Sequence, residues 1–280
     1  MIELYDRSTH LFICVVTILP FAFCTLFVRC YVRWTSRTWG VDDWCMLFSA
    51  PFFAWLSASC ISAAIHGIGA HVQNFHGGLE GQKAALQDFF MFEVSYCLAM
   101  LLAKPSIALM LVRIAESKRL YVWILRSVMA LQSITLLVVL IYLFAMCKPI
   151  SYAWDKSIPD GHCASSEIIT VFSYVVAGVN VAFDLTCALL PIPLLWNIQL
   201  NRNTRVASCI LLGFGIFASV CVLVRLKYNI GLSATEDFFY NICPILTYCY
   251  AEAGIGMVAA NGSVRRPYLS LCHQQNQQTS

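Results

Sequence analysis

Charged and amide side chains interrupt stretches of this sequence that are otherwise apolar. Residues 176–196 read Val-Ala-Gly-Val-Asn-Val-Ala-Phe-Asp-Leu-Thr-Cys-Ala-Leu-Leu-Pro-Ile-Pro-Leu-Leu-Trp, with Asn180 and Asp184 one helical turn apart. Residues 85–112 hold Glu93 and Lys104, and residues 238–260 hold Glu252. Carboxylates enclosed in apolar surroundings can act as proton donors and acceptors near neutral pH, so Asp184, Glu252 and Glu93 are the candidate acid–base groups. Lys104 is the candidate electrostatic partner. The same residues serve equally as a buried polar network that fixes helix packing and register.

Such groups need elements that hold them in place. The chain has 280 residues, is 59% hydrophobic and only 12% charged, with a mean hydropathy of +0.71. A soluble domain carries about 25% charged residues, so this composition fits a polytopic membrane protein. The net charge of +3 is small and its basic residues are scattered, which argues against nucleic-acid binding. Seven stretches reach the about 20 apolar residues that a membrane-crossing helix requires: 9–31, 43–65, 85–112, 121–146, 167–196, 206–227 and 238–260. The expectation is an all-α, seven-transmembrane-helix bundle over residues 9–268. A short N-terminal segment, 1–8, precedes it, and a polar tail, 269–280, follows. The first apolar run has no small-residue cleavage site and reads as a retained span.

Lys and Arg near the helix ends set the orientation. With the N-terminus outside, the inner ends carry Arg29, Arg33, Arg37, Arg113, Lys118, Arg119, Arg126, Arg202, Arg205, Arg265 and Arg266. The outer ends carry Arg7, Lys83, Lys148, Lys156, Arg225 and Lys227. This excess predicts an outer N-terminus and a cytoplasmic C-terminus. It also puts the sequon Asn261-Gly262-Ser263 on the cytoplasmic side, where it stays unglycosylated.

Aspartate at membrane depth costs roughly 2.5–3.5 kcal/mol on insertion scales, so Asp184 needs a partner. At 1.5 Å per residue, Lys104 lies about 28 Å from an outer start at Ala85, and Asp184 about 26 Å from one at Glu167. Matching depths make Lys104 and Asp184 the expected ion pair. Asp43 and Glu252 are competitors or further members, and Glu93 is expected to meet Arg225.

Most of the 14 cysteines stand singly in apolar runs and read as small hydrophobes. Cys147 and Cys163 instead bracket a polar loop with Pro149, Trp154, Pro159 and Gly161. They form a candidate disulfide if that loop faces an oxidising compartment, and two free thiols otherwise. His66, His71 and His76 recur at five-residue spacing, with His162 in the loop, and match no compact zinc pattern. No metal site is expected.

The ordered features resemble the fungal rhodopsin-domain integral membrane proteins, the satratoxin-cluster membrane protein-like group, over residues 19–269. The matching pieces are Arg33 with Trp39-Gly40-Val41-Asp42-Asp43-Trp44, then Gly67-Ile68-Gly69-Ala70-His71, then Lys104-Pro105-Ser106. The Cys147-Lys148-Pro149 to Gly161-His162-Cys163 loop follows. Asn180, Asp184, Leu190-Pro191-Ile192-Pro193-Leu194-Leu195-Trp196, Arg225, Asp237 and Glu252 complete the series.

The resemblance implies a receptor-like or accessory seven-helix protein of the plasma membrane or an endomembrane. Some members of the family resemble G-protein-coupled receptors, and others are encoded in secondary-metabolite clusters. Here Leu111-Val112-Arg113-Ile114 stands where receptors have an Asp/Glu-Arg-Tyr step, which offers little support for G-protein coupling. Retinal-binding rhodopsins use a lysine in their last helix. Residues 238–260 contain none, so no retinal or other cofactor is expected.

The partners implied are the lipid bilayer and a small apolar ligand or metabolite. The alternative reading is a membrane-embedded cyclase- or isomerase-type enzyme of a secondary-metabolite pathway, although no nucleophile, metal or phosphate-loop motif is present. A transporter is the third reading, without a half-repeat to support it.

Overall fold

The computed structural model describes residues 7–70, 78–115, 118–164, 166–190 and 238–262, together with Gly213 and Val220. Long helices dominate: α1 Ser8–Thr35, α2 Val41–Ile65, α3 Gly78–Ile114, α4 Arg119–Ala145, α5 Ser166–Leu189 and, after the segment that includes 206–227, α6 Phe238–Gly262. The expected span at 206–227, and Arg225 within it, lie outside the described residues apart from Gly213 and Val220. So do His71, His76, Pro191, Pro193 and Trp196.

Among the described residues, α1, α2, α4, α6 and the 80–113 portion of α3 are long and apolar enough to cross a membrane, and Tyr174–Leu189 of α5 is a shorter apolar helix. The protein is a multi-pass membrane helix bundle. In α3 and α6, 67% and 61% of the apolar window is buried, against 22% in α1 and 17% in α4. α3 and α6 are therefore central. α1 and α4 turn Phe21, Phe27, Ile134 and Ile141 outward, as lipid-facing helices must.

The core joins Leu11 and Val15 of α1, Phe53 and Leu56 of α2, Tyr96 and Met100 of α3, and Leu246 and Tyr250 of α6. Tyr250 stacks on Phe53 with ring centroids 5.3 Å apart, and its hydroxyl meets Ser57 Oγ at 2.9 Å. α1 and α6 approach so closely at Gly254 that an added Cβ would run into Ile18 Cγ2. Just beyond α2, Gly69 has a φ of +109°, a region that costs a Cβ-bearing residue. Its N–H donates to Phe239 O at 3.1 Å, which ties the end of α2 to the start of α6.

α3 begins at Gly78, earlier than the apolar run alone suggests. Glu80, Gln82, Lys83 and Ala84 are good helix formers and carry the helix into the polar zone. Lys83 there bridges to Asp155 at 2.7 Å. Asp155 belongs to the loop between α4 and α5, in which β1 (Cys147–Lys148) pairs antiparallel with β2 (His162–Cys163). Cys147 and Cys163 form a disulfide at the base of this loop, and Trp154 packs on Phe90 of α3 at 5.5 Å. α5 ends at Leu189, with Leu190 in a turn, since the residue before a proline is pushed out of helical conformation.

Candidate functional site

Among the described residues the bundle holds two buried charge clusters. One centres on Lys104. Its position in α3 follows from the apolar spacing of that helix, which turns Met100, Ala103, Lys104 and Ala108 inward together. Lys104 is 3% exposed. Its Nζ donates to Asn180 Oδ1 at 3.0 Å and to Asp184 Oδ1 at 3.2 Å, and it lies 3.3 Å from Glu252 Oε1. An ammonium group has three N–H donors and no acceptor, so three oxygens from α5 and α6 account for its capacity.

Two further side chains complete this hub. Tyr96, two turns before Lys104 on α3, donates its hydroxyl to Glu252 Oε2 at 3.2 Å. Gln132 of α4 donates Nε2 to Asn180 Oδ1 at 2.7 Å. The Phe183 ring lies 5.3 Å from Lys104 Nζ, within cation–π range. The hub thus ties α3, α4, α5 and α6 through contacts between buried polar groups. A buried pair broken on one side costs about 3–5 kcal/mol, because the remaining charge is left uncompensated.

The second cluster sits toward the end of α1. Arg29, 2% exposed, uses all three of its nitrogens. Nε donates to Asp43 Oδ1 at 2.8 Å, Nη2 to Asp42 Oδ2 at 2.8 Å, and Nη1 to the Ala260 carbonyl at 3.1 Å. Arg33, one turn on, lies 3.6 Å from each of the two carboxylates. Arg113 at the end of α3 reaches Asp42 Oδ1 at 3.8 Å. Asp42 and Asp43 occupy the first turn of α2, where the helix dipole favours negative charge. Asp43 Oδ2 also accepts from the Gly40 N–H at 3.0 Å, closing the N-terminus of α2. Ser106 Oγ donates to the Asp42 carbonyl at 2.6 Å, so Lys104-Pro105-Ser106 touches both clusters.

The structure therefore brings Lys104, Asn180, Asp184 and Glu252 together. It does not bring Asp43 to Lys104: Asp43 is held by Arg29 and by the Gly40 N–H. Glu93 is half-buried on α3, and its expected partner Arg225 lies outside the described residues. Gln132, Tyr96 and Arg29 are members that sequence reasoning missed. Gln132 had a usable signal, as an amide in the apolar run of α4. Arg29 looked like one more basic residue at a helix end.

Near the other end of α2 and α3, His66 Nδ1 meets Asp88 Oδ2 at 2.6 Å, and Ser62 Oγ donates to both Asp88 oxygens at 2.9 and 3.0 Å. Ser62 Oγ also lies 3.4 Å from His66 Nδ1, so the three side chains form one local polar cluster between α2 and α3. Among the described residues no group of three or more His, Cys, Asp or Glu side chains is arranged to hold a metal ion.

With two clusters binding six helices, this arrangement is read best as a conformationally specified bundle. Both candidate carboxylates of the hub are engaged by Lys104. No curated protein and no solved structure matches the chain. The family model for the fungal rhodopsin domain matches residues 28–271, a range that contains every residue of both clusters. The chain belongs to the fungal rhodopsin domain family.

Proposed function

We propose that this chain is a receptor-like membrane protein that senses a small apolar molecule through the Lys104 hub, and that it does so without retinal. The observation that carries the reading is the three-way engagement of Lys104 by Asn180, Asp184 and Glu252. A Schiff base needs a lysine amine free to attack a carbonyl. Lys104 is instead an ion-paired ammonium, and α6 contains no lysine. Neither position suits a covalently held retinal.

The hub joins four helices, so any molecule that shifts one of those contacts biases the packing of all four. That is the kind of bistable element through which a bound ligand changes a distant face. The Arg29 cluster lies about 12 Å further along α6, counting eight residues from Glu252 to Ala260 at 1.5 Å each. In this reading the bundle has seven spans, with the helix at 206–227 completing it. The basic excess puts the Arg29 cluster at the cytoplasmic face. The membrane is the plasma membrane or an endomembrane.

A catalytic role in a secondary-metabolite pathway is the competing reading. The pairing of Asp184 and Glu252 with one ammonium, in place of a substrate, weighs against it. Deleting the gene separates the two. Sensing predicts altered responses to an external cue with an unchanged metabolite profile. Accumulation of one precursor, rescued by wild type but not by a well-expressed Glu252→Gln protein, would establish catalysis instead.

A further inference from the structure

Among the described residues, Asn180 Nδ2 of α5 and Gln132 Oε1 of α4 have no hydrogen-bond partner. Both residues are 1% exposed. Lys104 fixes which atom is which. Its ammonium only donates, so the Asn180 atom facing it must be the oxygen. Gln132 must then present its nitrogen to that same oxygen, at 2.7 Å, which leaves its own oxygen unmatched. One amide donor and one amide acceptor thus remain on side chains already joined to each other. Buried polar groups are matched in more than nine cases in ten.

The surroundings restrict what can match them. Leu136 lies one turn from Gln132 on α4, Phe183 lies one turn from Asn180 on α5, and both are buried. An anionic head group would meet the carboxylates of Asp184 and Glu252, and a cationic one would meet Lys104. A neutral hydroxyl meets neither obstacle. It is also the smallest group that accepts from an amide N–H and donates to an amide oxygen at the same time.

We propose that Gln132 and Asn180 form the polar end of a binding site for an apolar small molecule carrying one hydroxyl group. This deepens the sensing reading, on which it rests, by naming the class of molecule sensed. The hydroxyl accepts from Asn180 Nδ2 and donates to Gln132 Oε1, while the hydrocarbon lies among the apolar side chains of α4 and α5. A methyl ether of the same molecule can still accept but cannot donate.

The test is photolabelling of the full chain in lipid nanodiscs with a diazirine-bearing dodecanol and its methyl ether. Labelled peptides are quantified by mass spectrometry. The alcohol is expected to label α4 and α5 roughly tenfold more than the ether, the ratio that one lost hydrogen bond to a buried group supports. Gln132→Met is expected to abolish that preference. Equal labelling by alcohol and ether in the wild type would overturn the proposal, leaving water as the only occupant of the pair. A preference that survives Gln132→Met would overturn it as well. The wild-type comparison stands without any variant, so a variant that fails to fold does not blunt the test. Labelling is independent of signalling. Loss of the sensing reading would show instead in the cue response of the deletion strain.

Discussion

Lys104 Nζ on α3 and Asp184 Oδ1 on α5 stand 3.2 Å apart, with side chains only 4% and 12% exposed. This contact holds Lys104 as an ion-paired ammonium. Incubating the purified protein with all-trans-retinal should give no visible absorption band, and borohydride added afterwards should leave no mass adduct on Lys104. A band before reduction, followed by a reduced adduct on that residue, would contradict the assignment.

Arg29 should be the least replaceable basic residue among the described ones. Its three nitrogens reach three separate acceptors, a fork that lysine's single ammonium cannot reproduce. Arg29→Lys should therefore cost nearly as much as Arg29→Met, on the order of 3–5 kcal/mol. Arg33→Lys should cost much less, since its contacts are 3.6 Å long. Thermal melting in detergent measures both. Equal tolerance at the two positions would remove Arg29 from the centre of the cluster.

Gly254 sets the spacing between α1 and α6. Gly254→Ala should destabilise the bundle by roughly 1–3 kcal/mol through overpacking against Ile18. Ile18→Ala creates the missing room, so the double variant should be more stable than the sum of the single effects. Strict additivity would mean that the two residues do not meet.

The loop between α4 and α5 should loosen in acid. The hydrogen bond from Lys83 holds the Asp155 carboxyl below the usual carboxylate range, with the Ser157 backbone N–H assisting. Because the folded-state value is depressed, the stabilisation is complete above the unfolded value, about 3.9. It is lost as pH falls below that point and through the folded value. Hydrogen exchange over residues 150–160 should rise across that window in wild type. In Lys83→Ala it should be raised already at neutral pH. Identical exchange in the two proteins would show that the bridge does not hold the loop.

Much of this architecture is legible in the residues alone. Helices of about the expected lengths follow from apolar runs longer than a bilayer is thick. Counting 1.5 Å per residue matched the depths of Lys104 and Asp184. Depth alone could not assign Asp43. It stands in the first turn of α2, two residues after Val41, and its pairing depends on which way Arg29 points around α1. Periodicity does not single out the inward face there, because α1 is apolar on nearly every side. Gln132 escaped for a related reason: an amide is cheap enough in an apolar helix to pass as a neutral occupant until a partner is seen. The early start of α3 came from helix propensity and the Lys83–Asp155 bridge, neither of which registers as hydrophobicity.

The central claim is that the Lys104 hub specifies one packing of α3, α4, α5 and α6. A double-mutant cycle at Lys104 and Asp184 tests it most directly, read as the melting temperature of detergent-purified protein. Lys104→Met should destabilise by about 3–5 kcal/mol, since it strands two buried carboxylates, and Asp184→Leu by less, since Glu252 still pairs with Lys104. The double variant, which leaves only Glu252 without its cation, should be more stable than Lys104→Met alone, with a coupling energy of up to about 3 kcal/mol. Single variants as stable as wild type, or a double variant no better than the worse single one, would contradict the account.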